Sequence, residues 1–228
     1  MSQSILVIGE SGRGKSRSMI FLDSLLTFLI NVVGKDLPFK GFKSKYQPYN
    51  KADKTGNSVT VHDAPTIIKY LKAVSDKMPH IKQIVIDDAQ YIMAFEFMAS
   101  AKTKGYEKYV TLAENFFNVI KTSKELRDDL TVIFLCHSED ITANGQTKTK
   151  IKTIGKMLDE KITLEGLFTI VLLAENRKSA DGKKIEYFFT TNSDGSSTCK
   201  SPEGMFPMEI PNDLNAMLSK VEAYYNEA

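Results

Sequence analysis

The chain is short of the residues that staple or anchor a small protein. Its two cysteines, Cys136 and Cys199, make neither a zinc-ligand pattern nor a disulfide framework, which fits a reducing compartment. Arginine is scarce, with only Arg13, Arg17, Arg127 and Arg177. No excess of one charge exists either: 30 basic and 28 acidic side chains leave a formal +2. Overall charge therefore argues neither for nor against nucleic acid, and any such surface must be a local patch. The longest apolar stretch, 19–33, carries Asp23, Ser24 and Asn31 and is too short to span a bilayer. The opening Met1-Ser2-Gln3-Ser4 shows no basic region or cleavage signal. A cytoplasmic protein with no membrane segment is the expectation. Against these absences stand 228 residues, 42% hydrophobic and 25% charged, enough for one α/β domain with a real core.

Short β-branched apolar runs mark strands buried on both faces: Ser4–Ile8 (SILVI), Gln83–Asp87 (QIVID), Thr131–Cys136 (TVIFLC) and Phe168–Ala174 (FTIVLLA). Between them, 16–33 reads as one long helix. Asp63 reads as an N-cap with Pro65 in the first turn of a helix reaching about Met78. Residues 91–123 are helical in pattern, with a break near Gly105. A lysine-rich insertion over 34–62 reads as irregular, its 34–57 part punctuated by glycine and proline, and 138–154 as a mobile loop. A short helical piece is expected over 155–162. The remainder, 175–228, contains a hairpin turning at Asp181-Gly182 with its return arm over 184–191, then an amphipathic helix over 212–225. Strands alternating with helices imply a doubly wound, mostly parallel sheet within a single domain.

The first strand runs into Gly9-Glu10-Ser11-Gly12-Arg13-Gly14-Lys15-Ser16, a complete G-x-x-x-x-G-K-[ST]. Glycines let successive N–H groups curl inward around an anion, and the following helix adds its positive end. Lys15 is expected to reach the β- and γ-phosphates of ATP, and Ser16 to ligate magnesium, with Arg17 beside the loop. By chance the pattern arises in about one chain of this length in a hundred. Here it also has the strand-before, helix-after context that the chemistry needs.

The strand Ile84-Val85-Ile86 ends in Asp87-Asp88, a Walker B pattern. Asp87 is expected to support the metal, and Asp88 to orient or deprotonate the attacking water. Many proteins with this motif carry Glu where Asp88 stands. A third strand tip, Cys136-His137-Ser138, offers His137 to the γ-phosphate or its water. Asn50-Lys51-Ala52-Asp53 spells a guanine-reading motif, but it precedes Walker B and follows no apolar strand, so it does not indicate GTP.

With these motifs, the chain resembles the phage-type ATP-binding proteins of the AAA/RecA-like class, including the Sak-type single-strand annealing ATPases. The likeness runs through the P-loop, 85–91 (VIDDAQY), 135–139 (LCHSE), 152–156 (KTIGK), 165–169 (EGLFT), 200–206 (KSPEGMF) and 210–214 (IPNDL). It implies a RecA-like core and magnesium-dependent ATP hydrolysis linked to single-stranded DNA. It also implies a role in phage recombination or replication, in the host cytoplasm, with assembly into a ring or filament. Proteins of that class often carry a catalytic Glu on the strand after the P-loop helix, and no such strand or Glu is evident here. Lys148, Lys150, Lys152 and Lys156 are candidates for tracking a DNA backbone. Lys200 is the candidate cation reaching a neighbouring subunit's γ-phosphate, with Arg177 next. Two alternatives stand beside this: a small-molecule kinase, which four arginines support poorly, and a slow nucleotide-gated assembly or packaging factor.

Overall fold

The computed structural model describes residues 2–102, 105–143, 145–155 and 161–226. Its strands are β1 (Gln3–Gly9), β2 (Thr27–Asn31), β3 (Ser58–Thr60), β4 (Gln83–Asp87), β5 (Thr131–Ala143), β6 (Gln146–Ile151), β7 (Ile170–Lys178), β8 (Ile185–Thr190) and β9 (Glu209–Pro211). The helices are α1 (Phe42–Lys45), α2 (Ala64–Lys77), α3 (Tyr91–Ala99), α4 (Glu107–Lys124) and α5 (Leu214–Asn226). The strands join one sheet in the order β3-β2-β4-β5-β1-β7-β8-β9, with β6 paired to β5. From β3 to β7 the pairing is parallel, and β8 and β9 then return antiparallel. This is the expected doubly wound α/β sheet with a C-terminal hairpin and closing helix.

Alternation along the central strands divides the core into two layers. Leu6, Ile8, Ile84, Ile86, Val132 and Phe134 pack on one face, against Ile67 and Leu71 of α2 and Phe116 of α4. Ile5, Val7, Val85, Ile133 and Leu135 face the other way, toward Met19 and toward Leu214 and Met217 of α5. Asp63 caps α2 as its sequence implies, its side chain accepting from Thr66 N at 2.9 Å. Parallel register between β1, β4 and β5 brings Gly9, Asp87 and His137, where the motifs sit, to one end of the parallel sheet.

Three expectations need correction. The long helix over 16–33 is a short 3-10 turn, Ser16–Phe21, followed by strand β2. Asp23 breaks the run: its Oδ1 accepts from Leu25 N at 2.9 Å, and its carbonyl accepts from Leu26 N at 3.2 Å. Thr27–Asn31 is then buried on both faces between β3 and β4. A strand therefore does follow the P-loop segment, although it ends in Asn31 and carries no Glu. The 138–154 loop is mostly a β-hairpin, because β5 continues to Ala143 and β6 returns along it. Its alternating threonines suit a two-sided exposed ladder. Finally, β3 adds residues of the 34–62 insertion to the sheet edge. The helix expected over 155–162 falls largely on 156–160, with Lys156, outside the described residues. Among the described residues no helix is long and apolar enough to cross a membrane.

Candidate functional site: a P-loop facing a buried acid pair

The P-loop curls from the tip of β1, and its shape is enforced by its neighbours. Gly14 has φ 94°, and a Cβ there would lie 2.7 Å from the Tyr187 ring and 3.1 Å from Asn212 Oδ1, so only glycine fits. Asn176 on β7 braces the loop, donating to Gly12 O at 3.1 Å and accepting from Arg13 at 3.0 Å. Arg13 also pairs with Glu10 at 2.9 Å. Arg17 lies 4.8 Å over the Tyr187 ring and donates to Asn212 Oδ1 at 3.3 Å. Sequence reasoning gave no site role to Asn176, Tyr187 or Asn212, which lie in the C-terminal part of the chain; of these only Asn212 falls in a stretch of family likeness, 210–214.

Lys15 is buried, and its Nζ donates to Gly9 O at 2.6 Å and Glu10 O at 2.8 Å. Burial lowers its pKa to about 8, against the opposing pull of Asp88 and Asp87. Ser16 Oγ donates to Asp87 Oδ1 at 2.8 Å, joining Walker A to Walker B across 71 residues of sequence. Asp87 is fully buried, and burial together with the charge of Asp88 raises its pKa to about 6. Its Oδ2 is buried with no hydrogen-bond partner. A buried carboxylate oxygen without a donor is costly unless a cation meets it. The Ser16–Asp87 pair therefore fits a magnesium ion, which takes few protein oxygens and completes its shell with phosphate and water. Among the described residues no group of three or more His, Cys, Asp or Glu could cage a metal by itself.

Asp88 is a non-glycine residue at φ 57°, a strained left-handed conformation costing about 1–3 kcal/mol. That backbone puts its buried carboxylate against Lys35 Nζ and 3.4 Å from His137 Nε2. Burial would raise its pKa, but the contacts with His137 and Lys35 overcome this and hold it below the usual value. His137 is fixed in turn: its backbone N–H donates to Gln90 Oε1 at 3.0 Å, and its ring meets Tyr91 edge-on at 5.8 Å. The hairpin is anchored here, since Lys152 N donates to His137 O at 2.8 Å. A cavity of about 410 Å³ opens beside the loop, lined by Glu10, Ser11, Tyr91, His137, Ser138 and Lys152 among others. A larger concavity of about 810 Å³ lies at the opposite end of the strands, around Ser2, Lys124 and Tyr225, and holds neither P-loop nor acid pair. Chemistry, rather than size, marks the site.

The structure thus brings Gly9–Arg17, Asp87, Asp88 and His137 together. Lys200 is not among them. Its backbone pairs with Val171, itself opposite Leu6 near the middle of β1, and the pKa of Lys124 is lowered first by burial and then by the nearby charge of Lys200. Lys35 was missed because it lies in the stretch read as irregular. Reading Thr27–Asn31 as a strand would have placed it at a strand tip beside Asp87.

The architecture matches solved structures. A KaiC-like protein from the hyperthermophilic archaeon Pyrococcus horikoshii superposes with a TM-score of 0.52, covering 92% of this chain and 84% of that one at 14% identity. The fold is a mixed α/β sheet with a RecA/KaiC-like core. At that identity the likeness speaks for the fold alone. No family model and no curated protein sequence matches the chain. In this chain the sheet order places β5 between β1, which enters the P-loop, and β4, which ends at Asp87, and Gly9 stands opposite His137.

Proposed function

We propose that this protein binds ATP with magnesium and hydrolyses it, in a cycle linked to single-stranded DNA. The observation that carries the nucleotide chemistry is the Ser16–Asp87 contact beside Lys15, with the orphaned Asp87 oxygen at its edge. In this reading the loop amides and Lys15 hold the phosphates, and Ser16 and Asp87 hold magnesium. The ion would shield phosphate charge and polarise the terminal phosphoryl group. Asp88, kept ionised and aimed by its neighbours, accepts the proton of the attacking water, and His137 fixes Asp88 from the other side. Turnover of ATP that vanishes on magnesium chelation and returns on its readdition is the expected result. A folded protein that binds ATP but turns it over only slowly, with or without single-stranded DNA, would favour the slow nucleotide-gated assembly or packaging factor instead.

The kinase alternative loses ground on arginine placement. Arg127 donates to Val74 O and Ser75 O and pairs with Asp129, at the end of the sheet away from the loop. Arg177 pairs with Glu186 and Glu209. Neither is offered to a transferred phosphate.

The DNA link rests on the sequence resemblance to the Sak-type annealing ATPases and on the hairpin above His137. Lys148 and Lys152 are exposed there, while Lys150 sits 3.5 Å from Glu139 and is partly neutralised. Replacing Lys148, Lys150 and Lys152 by Gln is expected to weaken single-stranded DNA binding and flatten the slope of log affinity against log salt by about 2. An unchanged slope in a fluorescence-anisotropy titration would move the DNA path off the hairpin. Lys200 enters this proposal only as a cation offered to a neighbouring copy in a ring or filament, because it stands away from its own P-loop.

A further inference from the structure

We propose that Lys35 is the terminal-phosphate cation of this site, supplied by the same chain that supplies the P-loop. The inference rests on the nucleotide-binding reading above and adds a residue to it. RecA-like proteins commonly take such a charge from an adjoining subunit; here the geometry places one at the acid pair without a partner.

Lys35 follows β2, the strand hydrogen-bonded to Walker B strand β4. Its ammonium contacts Asp88 Oδ2, and it lies close enough to Lys15 that the two charges oppose one another. The turn that delivers it is built for the purpose. Asn31 Oδ1 accepts from Gly34 N at 2.9 Å, and Asn31 Nδ2 donates to Lys35 O at 2.7 Å, so one buried side chain clamps both sides of the turn. Gly34 has φ 76°, and a Cβ there would meet Thr60 Cγ2 at 2.9 Å, so the turn accepts no other residue without strain. Val32 N donates to the backbone carbonyl of Asp87 at 3.2 Å, tying the start of the same turn to the end of β4.

A bare need to neutralise Asp88 does not require this arrangement. The Lys35 side chain is 46% exposed, which leaves its long stem free to swing its charge by a few ångströms. Lys15 and Lys35 together face Asp87 and Asp88, a balanced set to which a triphosphate adds strong negative charge. Lys35 then has a better partner than Asp88, and its transfer to a γ-phosphate oxygen releases Asp88 toward water. No arginine competes for the role: Arg13 and Arg17 are engaged with Glu10, Asn176 and Asn212, and Arg127 and Arg177 are paired elsewhere.

The test is discrimination between ATP and ADP, because only the triphosphate offers the oxygen Lys35 is proposed to meet. Displacement of a fluorescent nucleotide is measured with ADP and with a non-hydrolysable ATP analogue, on the wild type, Lys35→Met and Lys35→Arg. Lys35→Met is expected to keep ADP affinity within about twofold and to lose about tenfold or more for the ATP analogue. Its ATP turnover should fall about a hundredfold, and Lys35→Arg should retain most of both. The double variant Lys35→Met/Asp88→Asn leaves no uncompensated buried charge, and it should show the same loss of discrimination if the single variant folds poorly. Parallel loss of ADP and ATP affinity, or wild-type discrimination in both Met variants, overturns the role of Lys35 while leaving the P-loop reading intact. A wild type that binds neither nucleotide overturns both.

Discussion

Replacing Lys15 by alanine should abolish ATP turnover and weaken triphosphate binding by about a hundredfold or more, while the protein stays folded. The side chain is buried at the loop, donating to the carbonyls of Gly9 and Glu10, with the acid pair close enough to act on its charge. A desolvated ammonium that keeps its charge beside backbone carbonyls is poised for an anion, and a terminal phosphate fits that description. The same desolvation predicts that the fold does not depend on it. The folded-state pKa lies near 8, below the ordinary 10.5, so folding disfavours the charged form. Stability linked to this group is fully present only above about 10.5 and is lost as pH falls through 8. Removing the ammonium at neutral pH therefore relieves a cost, offset by the packing of the lost stem. The melting temperature should stay within about 3 °C of wild type. Isothermal titration with ATP, a phosphate-release assay and a thermal melt check the three parts. A folded variant with wild-type turnover would remove the P-loop from the chemistry.

How far this site could be read without coordinates differs between its parts, for physical reasons. Gln83–Asp87 is legible because a short apolar run bounded by polar residues has one sensible home, the middle of a parallel sheet. The P-loop is legible because its glycines and its lysine are each demanded by one interaction. Thr27–Asn31 was obscured because the apolar stretch around it has no glycine or proline, and periodicity cannot separate a buried strand from a buried helix. That single ambiguity hid Lys35, since a lysine after a helix is solvent-facing by default, whereas one beyond a strand tip beside Walker B is at the mouth of the site. The hairpin of β5 and β6 was hidden differently. Much of it is exposed, so its alternation is between threonines and lysines and carries no hydrophobic signal. Asn176 and Asn212 reach the loop from 164 and 195 residues away in sequence, through contacts that only the folded chain defines.

The two Walker B carboxylates should separate cleanly when each is changed to asparagine. Asp88→Asn keeps the shape, and asparagine tolerates the left-handed backbone that position 88 requires. What it loses is the ability to take a proton from water, so turnover should fall by about 10²–10³ while magnesium–ATP binding remains. Asp87→Asn should lose both, because the oxygen facing the metal becomes an amide. It should also make the nucleotide-free protein more stable. The Asp87 carboxyl titrates near 6 in the fold against an ordinary 3.8, first because it is buried and second because Asp88 stands beside it. Between those values the folded chain holds a proton that the unfolded chain has released. The stabilisation belonging to the protonated form is present below about 4 and lost as pH rises through 6, a cost of order 2–3 kcal/mol at neutral pH. An amide removes the titration, and its Oδ1 still accepts from Ser16. Melting curves of the nucleotide-free protein from pH 4.5 to 7 should show wild type losing stability across this range. Asp87→Asn should lack that loss and melt roughly 4–8 °C higher at pH 7. If Asp87→Asn instead melts lower at pH 7, or if the two variants lose metal–nucleotide binding equally, the division of labour between metal support and proton acceptance fails.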